Sequence, residues 1–230
     1  MKLSENTLSI FENLVNINQG IIVLKKFSDD TGTLIKSSDK EESFMALVKL
    51  SEQFSKNFVI GDVKTFLGVV RTMEDPELKL QDGSVIVHDT NSSMEIRYTE
   101  PEAILSKDIF NNVEFTPPTE KLISYELSKI NMDKLLKLAD IMQHVHIQID
   151  VVKGNAVMRS LNSKNPASNK SEVVLGPVGK VNNSCFPLVL DRTKFRFIKG
   201  NYQVDVYENM AVFTNSDGID IKYFIGAYEK

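Results

Sequence analysis

At 230 residues the chain has room for one large or two modest domains, and 42% hydrophobic with 25% charged residues is the balance of a globular protein rather than a disordered or fibrous one. A net charge of −4 weighs against a nucleic-acid binder, although a basic stripe can sit on an acidic body. No run approaches the roughly 20 consecutive apolar residues of a membrane helix, MKLSENTLSIF lacks the apolar core of a secretory leader, and a single cysteine, Cys185, allows no intrachain disulfide and agrees with a reducing cytoplasm.

Residues 1–4 suit a short strand. After Ser4-x-x-Thr7 an amphipathic helix runs to about residue 16, with Ile10, Phe11, Leu14 and Ile17 as its apolar stripe and Ser9, Glu12, Asn13 and Asn16 opposite. Gly20 fits a helix stop. Strands are expected over 21–27, 33–37 and 44–50, with turns at 29–32 and 39–42. A further strand at Phe58 delivers a second helix. Val63, Phe66, Leu67 and Val70 recur at i, i+3, i+4 and i+7 on one face, while Lys64, Gly68 and Arg71 lie on another. Pro76 ends it. Residues 77–80 and 85–88 form a hairpin across Gln81-Asp82-Gly83-Ser84, with Asp-Gly as the turn signal, and 94–98 adds a strand.

Residues 101–120 have no clear period and are bracketed by Pro101, Asn111-Asn112 and Thr116-Pro117-Pro118-Thr119. They divide the chain into a first domain (1–100), a proline-stiffened linker (101–120) and a second domain (121–230). A plain spacer accounts for the linker as well as any other role. After a strand at 121–127, residues 131–143 make the clearest helix, with Met132, Leu135, Leu136, Ala139 and Met142 facing a core and Lys134 and Lys137 off that face. Strands follow at 144–152 and 156–161, then a polar loop at 162–170 and an edge strand at 173–178. Residues 186–207 read as strand, short basic helix, strand. The helix carries Arg192, Arg196 and Lys199 at i, i+4 and i+7, with Lys194 beside them and Phe195 and Ile198 as apolar counterparts. Strands over 210–214 and 219–227 close the chain. The order helix-then-strands occurs four times, a repeat of pattern rather than identity. The expected class is α+β: two similar domains, each with two helices packed on antiparallel sheets.

Chemistry is sparse. Gly176-Pro177-Val178-Gly179-Lys180 lacks the spacing and the following Ser or Thr of a phosphate loop. His144 and His146 share a strand face but have no third ligand, so ordinary strand histidines stand against a metal pair. Cys185 precedes an apolar strand and suits a small buried residue better than a nucleophile. The carboxylates are scattered, with no acid–base pair. Neither an enzyme nor a cofactor or metal is expected. Lys64 with Arg71, Lys134 with Lys137, and Arg192 with Lys194, Arg196 and Lys199 are different. Each group alone is an ordinary solvated face. Together, on an acidic chain, they suggest one positive surface that attracts phosphates without reading sequence and is sensitive to salt.

The opening MKLSENT, the Ile17-Asn18-x-Gly20-Ile21 junction, the Phe66-Leu67-Gly68-Val69-Val70 helix, the Asp82-Gly83 hairpin and the ending Tyr223-Phe224-Ile225-x-Ala227 resemble the DNA polymerase sliding clamps of T-even-type phages. The resemblance covers most of the chain and is strongest over 1–22 and 58–89. It implies a DNA-clamp fold closed into a homotrimeric ring of six pseudo-equivalent domains, with helices lining the hole and sheets forming the wall. It implies sequence-independent contact with duplex DNA, tethering of the DNA polymerase for processive synthesis, an ATP-dependent clamp loader, contact with late transcription, no membrane and a place in the cytoplasm of an infected bacterial host. Family partners insert a C-terminal peptide beside the interdomain linker. By position, Val113, Phe115 and Pro117, with Tyr223 and Ile225 of the last strand, become partner-binding candidates. Lys64, Arg71, Lys134, Lys137, Arg192, Lys194, Arg196 and Lys199 become DNA-binding candidates. One feature departs from that picture: between Thr7 and Asn18 there is Glu12 and no Lys or Arg. A β-rich structural homo-oligomer, such as a virion assembly subunit, would explain the repeats and the missing catalytic residues but not the basic helices. A hydrolase built on scattered carboxylates has no spacing in its favour.

Overall fold

The computed structural model describes every residue except 18–19, 25–31, 40, 42, 101–102, 104–114, 116, 118, 166–168, 179–185 and 229–230. The chain forms two compact units, Met1–Phe115 and Thr116–Lys230. Most of the expected linker, including Val113, lies outside the described residues, as does Cys185.

The first unit opens with α1 (Glu5–Val15). Ser4 caps it, its hydroxyl accepting the Thr7 N–H at 3.2 Å, a contact typically worth about 1 kcal/mol. Leu8, Ile10, Phe11 and Leu14 are buried beneath it. Strands β1 (Ile21–Leu24), β2 (Thr33–Ser38), β3 (Phe44–Leu50) and β4 (Phe58–Ile60) follow, and pair antiparallel in the order β4-β1-β2-β3. Gly32 opens β2 against Leu50, where a Cβ would sit 2.4 Å from the Leu50 carbonyl oxygen. No larger residue fits without moving backbone.

Helix α2 (Val63–Thr72) is capped by Asp62, which accepts the Thr65 N–H at 2.9 Å. Val63, Phe66, Leu67 and Val70 are its buried face, as the spacing predicts. Phe66 meets Phe11 of α1 at 6.1 Å between ring centres. Strands β5 (Glu77–Leu80), β6 (Ser84–His88) and β7 (Ser93–Arg97) make a meander, with Leu80 opposite Val85 across the Asp-Gly turn.

In the second unit β8 (Ile123–Leu127) leads into α3 (Lys129–Ile141). The helix starts and stops two residues before the expected 131–143. Ser128 caps its start, accepting the Asn131 N–H at 3.3 Å. At its end Gln143 adopts φ 54° and the His144 N–H reaches back to the Ala139 carbonyl at 2.9 Å, the left-handed stop that closes many helices. Strands β9 (His146–Val152), β10 (Asn155–Leu161), β11 (Ser171–Pro177) and β12 (Leu188–Asp191) form a sheet in the order β11-β10-β9-β12. Helix α3 lies against β10 and β11. The closing strands β13 (Tyr202–Val206), β14 (Met210–Asn215) and β15 (Ile221–Gly226) pair with β8 in the order β15-β14-β13-β8.

The basic helix expected around 192–199 is not formed. Only a single 3-10 turn, Arg192–Lys194, stands there. Asp191 caps that turn, accepting the Thr193 N–H at 2.8 Å. Beyond it Phe195 and Phe197 are both buried while Arg196 between them is exposed. Two inward residues two apart match an extended chain, not a helix of 3.6 residues per turn. The Ile198 N–H then donates to the Tyr223 hydroxyl at 3.1 Å, so it is not available for a helical bond. Phe197 stacks on Tyr223 at 4.4 Å and meets Phe213 at 4.9 Å. This aromatic cluster, with Tyr202, anchors the second unit. Burial pushes the Tyr202 phenol up to about 12, and Tyr223 higher still.

Candidate functional site

Because helices place residues i, i+4 and i+7 on one line, α3 presents Ile130, Lys134, Lys137 and Ile141 as a single outward stripe. Ile130 is 78% and Ile141 69% exposed, and both lysines are exposed. The opposite face, Met132, Leu135 and Ala139, is buried. The stripe is therefore free of any packing duty within its unit.

Lys64 and Arg71 also face outward on α2, yet their surroundings differ. Arg71 is gripped by α1: its Nη2 donates to Glu12 Oε1 at 2.9 Å, and its Nη1 donates to Glu5 Oε2 at 2.9 Å. Those carboxylates, Glu5 first and Glu12 second, push its already high pKa further up. Lys64 stands two residues from the Asp62 cap, whose carboxyl is held below its usual range chiefly by the Thr65 hydroxyl, then by the Thr65 amide.

The expected cluster at 192–199 is dispersed. Arg192 is half-buried and ion-paired through Nη1 with Asp140 of α3, while its backbone N–H donates to the Val145 carbonyl at 3.0 Å. Lys194 is half-buried, and Arg196 and Lys199 are exposed on irregular chain. Arg192 is thus brought to the C-terminal end of α3, but on the wrong side of an ion pair to offer its full charge.

Of the partner candidates, Phe115 and Pro117 are half-buried. Tyr223 and Ile225 are buried, because the alternation of β15 turns both inward and Tyr223 stacks on Phe197. They belong to the core of the second unit, not to its surface. His144 and His146 each have a hydrogen-bond partner of their own within the unit. His144 Nδ1 lies 2.9 Å from the Ser160 hydroxyl, and His146 Nδ1 accepts the Ser163 N–H at 3.2 Å while its ring packs on Tyr228 at 4.3 Å. Burial holds the His146 pKa down. No cluster of three metal-binding side chains occurs among the described residues.

Sequence periodicity left two sheet edges unmarked, one in each unit. In the meander of the first unit, Met1 occupies the β5 edge through two hydrogen bonds with Leu78, at 2.7 and 2.8 Å. In the β11-β10-β9-β12 sheet, the Tyr228 N–H bonds Val189 on the β12 edge at 2.7 Å. The opposite edges, β7 and β11, carry exposed apolar side chains, Met94 at 50% and Val174 at 59%. Ile141, Met142 and Val145 add to the exposed apolar surface of the second unit.

No family model matches the chain. It is similar to the sliding clamp of Escherichia phage RB69, 24% identical over 209 residues that cover 89% of this chain and 86% of that protein. It is also similar to the sliding clamp of Vibrio phage KVP40, 19% identical over 227 residues and 98% of each chain. Among solved structures, a Helicobacter pylori beta clamp superposes with a TM-score of 0.71 at 13% identity, over 98% of this chain and 63% of that one. The same clamp has been solved with a DNA ligase peptide. A. fulgidus PCNA, bound to the C-terminal region of FEN-1, superposes with a TM-score of 0.69 at 10% identity, over 97% and 95%. These likenesses establish an α+β clamp fold, helices on antiparallel sheets.

Proposed function

We propose that this chain, a relative of the sliding clamps of T4-like phages, is itself a sliding clamp, a non-catalytic ring that encircles duplex DNA and tethers the replicative polymerase to it. The observation that carries this is the clamp fold together with the unpartnered lysine stripe of α3. Tethering by enclosure needs no tight grip. A few exposed cations that meet phosphates without reading bases suffice, and the acidic balance of the remaining surface keeps the protein off stray DNA.

Three copies are proposed to close the ring, with β7 of one subunit pairing with β11 of the next. Such a contact is heterologous, head to tail, and closes when the rotation permits. It also removes two sheet edges that would otherwise recruit unrelated chains. Lys64, Lys134, Lys137, Lys194, Arg196 and Lys199 are the proposed DNA contacts, with Lys134 and Lys137 foremost. Arg71 and Arg192 are proposed to contribute less, because carboxylates of their own unit already engage them. Phe115 and Pro117, with Val113, remain the proposed docking segment for partner peptides, a role in keeping with the peptide-bound clamp structures. An ATP-dependent loader and late transcription factors are further proposed partners, and the infected host's cytoplasm is the proposed place of action.

Lys134→Gln with Lys137→Gln tests the DNA face. Each phosphate contact contributes roughly 0.9 to the slope of log affinity against log salt. Fluorescence anisotropy with a short duplex should show that slope reduced by about 1–2, with the oligomer mass unchanged. An unchanged slope would remove α3 from the DNA-facing surface.

A further inference from the structure

The exposed charges on the paired helices of the first unit cancel: Glu5 and Glu12 on α1 against Lys64 and Arg71 on α2. The geometry is specific. Arg71 directs Nε and Nη2 at one carboxylate oxygen of Glu12, at 3.1 and 2.9 Å, and Nη1 at both oxygens of Glu5, at 3.1 and 2.9 Å. Three of its nitrogens are occupied by acids from the neighbouring helix. A phosphate arriving at this face meets a guanidinium whose fork is already filled, with two anions beside it. Among the described residues, neither lysine of the α3 stripe is ion-paired to a carboxylate.

We infer that Glu5 and Glu12 act as an intramolecular substitute for phosphate, occupying Arg71 and loosening the hold of the first unit's helical face on DNA. This rests on the proposal that the helices face duplex DNA and deepens it: each subunit would hold the backbone mainly through its second unit, with Lys64 a lesser contact in its first. The pair sets how loosely the ring holds its track. At exposed positions the ion pairs add little to stability, on the order of 0.2–1 kcal/mol each, so their presence is better explained by what they withhold from DNA than by what they add to the fold.

The test is duplex binding by fluorescence anisotropy across a salt series, on the intact oligomer. Glu5→Gln with Glu12→Gln should steepen the salt slope by about 0.9 for each phosphate newly engaged and raise affinity severalfold at low salt. Adding Arg71→Gln to that background should cancel the gain. Glu12→Gln alone, which frees the Nε side, should give an intermediate gain and keeps the test available if the double variant misfolds. A gain that survives Arg71→Gln would overturn the inference, since it would reflect lost negative charge alone. If the glutamate variants match the parent while Lys134→Gln with Lys137→Gln still weakens binding, the inference fails and the DNA face stands. If the lysine variants are silent as well, the DNA face itself is misplaced and the inference falls with it.

Discussion

Val174→Asp combined with Met94→Asp is expected to break the assembly into single chains. The expected masses are 25.9 kDa for the variant and three times that, about 78 kDa, for the parent. Both side chains are at least half exposed in the isolated chain. Val174 sits on the edge strand β11 and Met94 on the edge strand β7. If β7 of one subunit pairs with β11 of the next, each carboxylate is driven into the seam those two strands share. A buried group without a partner costs at least 1–3 kcal/mol, more when charged. Two such costs recur at each of the three contacts, so association should weaken by a factor of 30 or more per contact, each 1.4 kcal/mol being tenfold. Neither residue belongs to the core, so the thermal midpoint of the monomer should hold. Light scattering over a dilution series reads the result. A doubly substituted chain still near 78 kDa at micromolar concentration would place the subunit contact elsewhere.

Tyr223→Ala should cost about 3–5 kcal/mol of stability, the usual range for removing a large buried aromatic. Tyr223 packs flat on Phe197 and close to Tyr202, and its hydroxyl accepts the Ile198 N–H. In a chain of this size the thermal midpoint should fall by about 6–20 °C, at 2–4 °C per kcal/mol. Tyr223→Phe separates the two contributions: it keeps the ring stack and leaves the Ile198 amide without its acceptor, for about 1–3 kcal/mol. Calorimetry on both variants checks this. A normal midpoint in Tyr223→Ala, with loss of polymerase peptide binding, would return Tyr223 to the partner surface and contradict its place in the core.

Sequence is informative where local spacing decides and stops where contacts distant along the chain decide. Val63, Phe66, Leu67 and Val70 predict the buried face of α2 because local spacing decides that face, and Asp82-Gly83 predicts its hairpin because the turn chemistry is local too. At 192–199 two local patterns compete. The cations repeat with a helical period, whereas Phe195 and Phe197 repeat with an extended one, and burial against Phe213 and Tyr223 decides for the latter. The limits of α3 depend on Ser128 and on Gln143 in a left-handed conformation, and only the first of these is a familiar sequence signal. The grip of Glu5 on Arg71 spans 66 residues, so no periodicity could reveal it. Tyr223 and Ile225 entered as partner candidates through position in a related sequence, and the alternation of β15 turns them inward.

Enclosure is the central claim, and topology tests it most directly. The protein would be loaded onto nicked circular DNA by its cognate loader with ATP, washed in high salt, and followed before and after a single restriction cut. The account predicts that it stays on the circle through the wash and leaves promptly once the DNA is linear. Release from the intact circle by salt alone, or retention on the cut molecule, would mean that it holds DNA by contact and not by surrounding it.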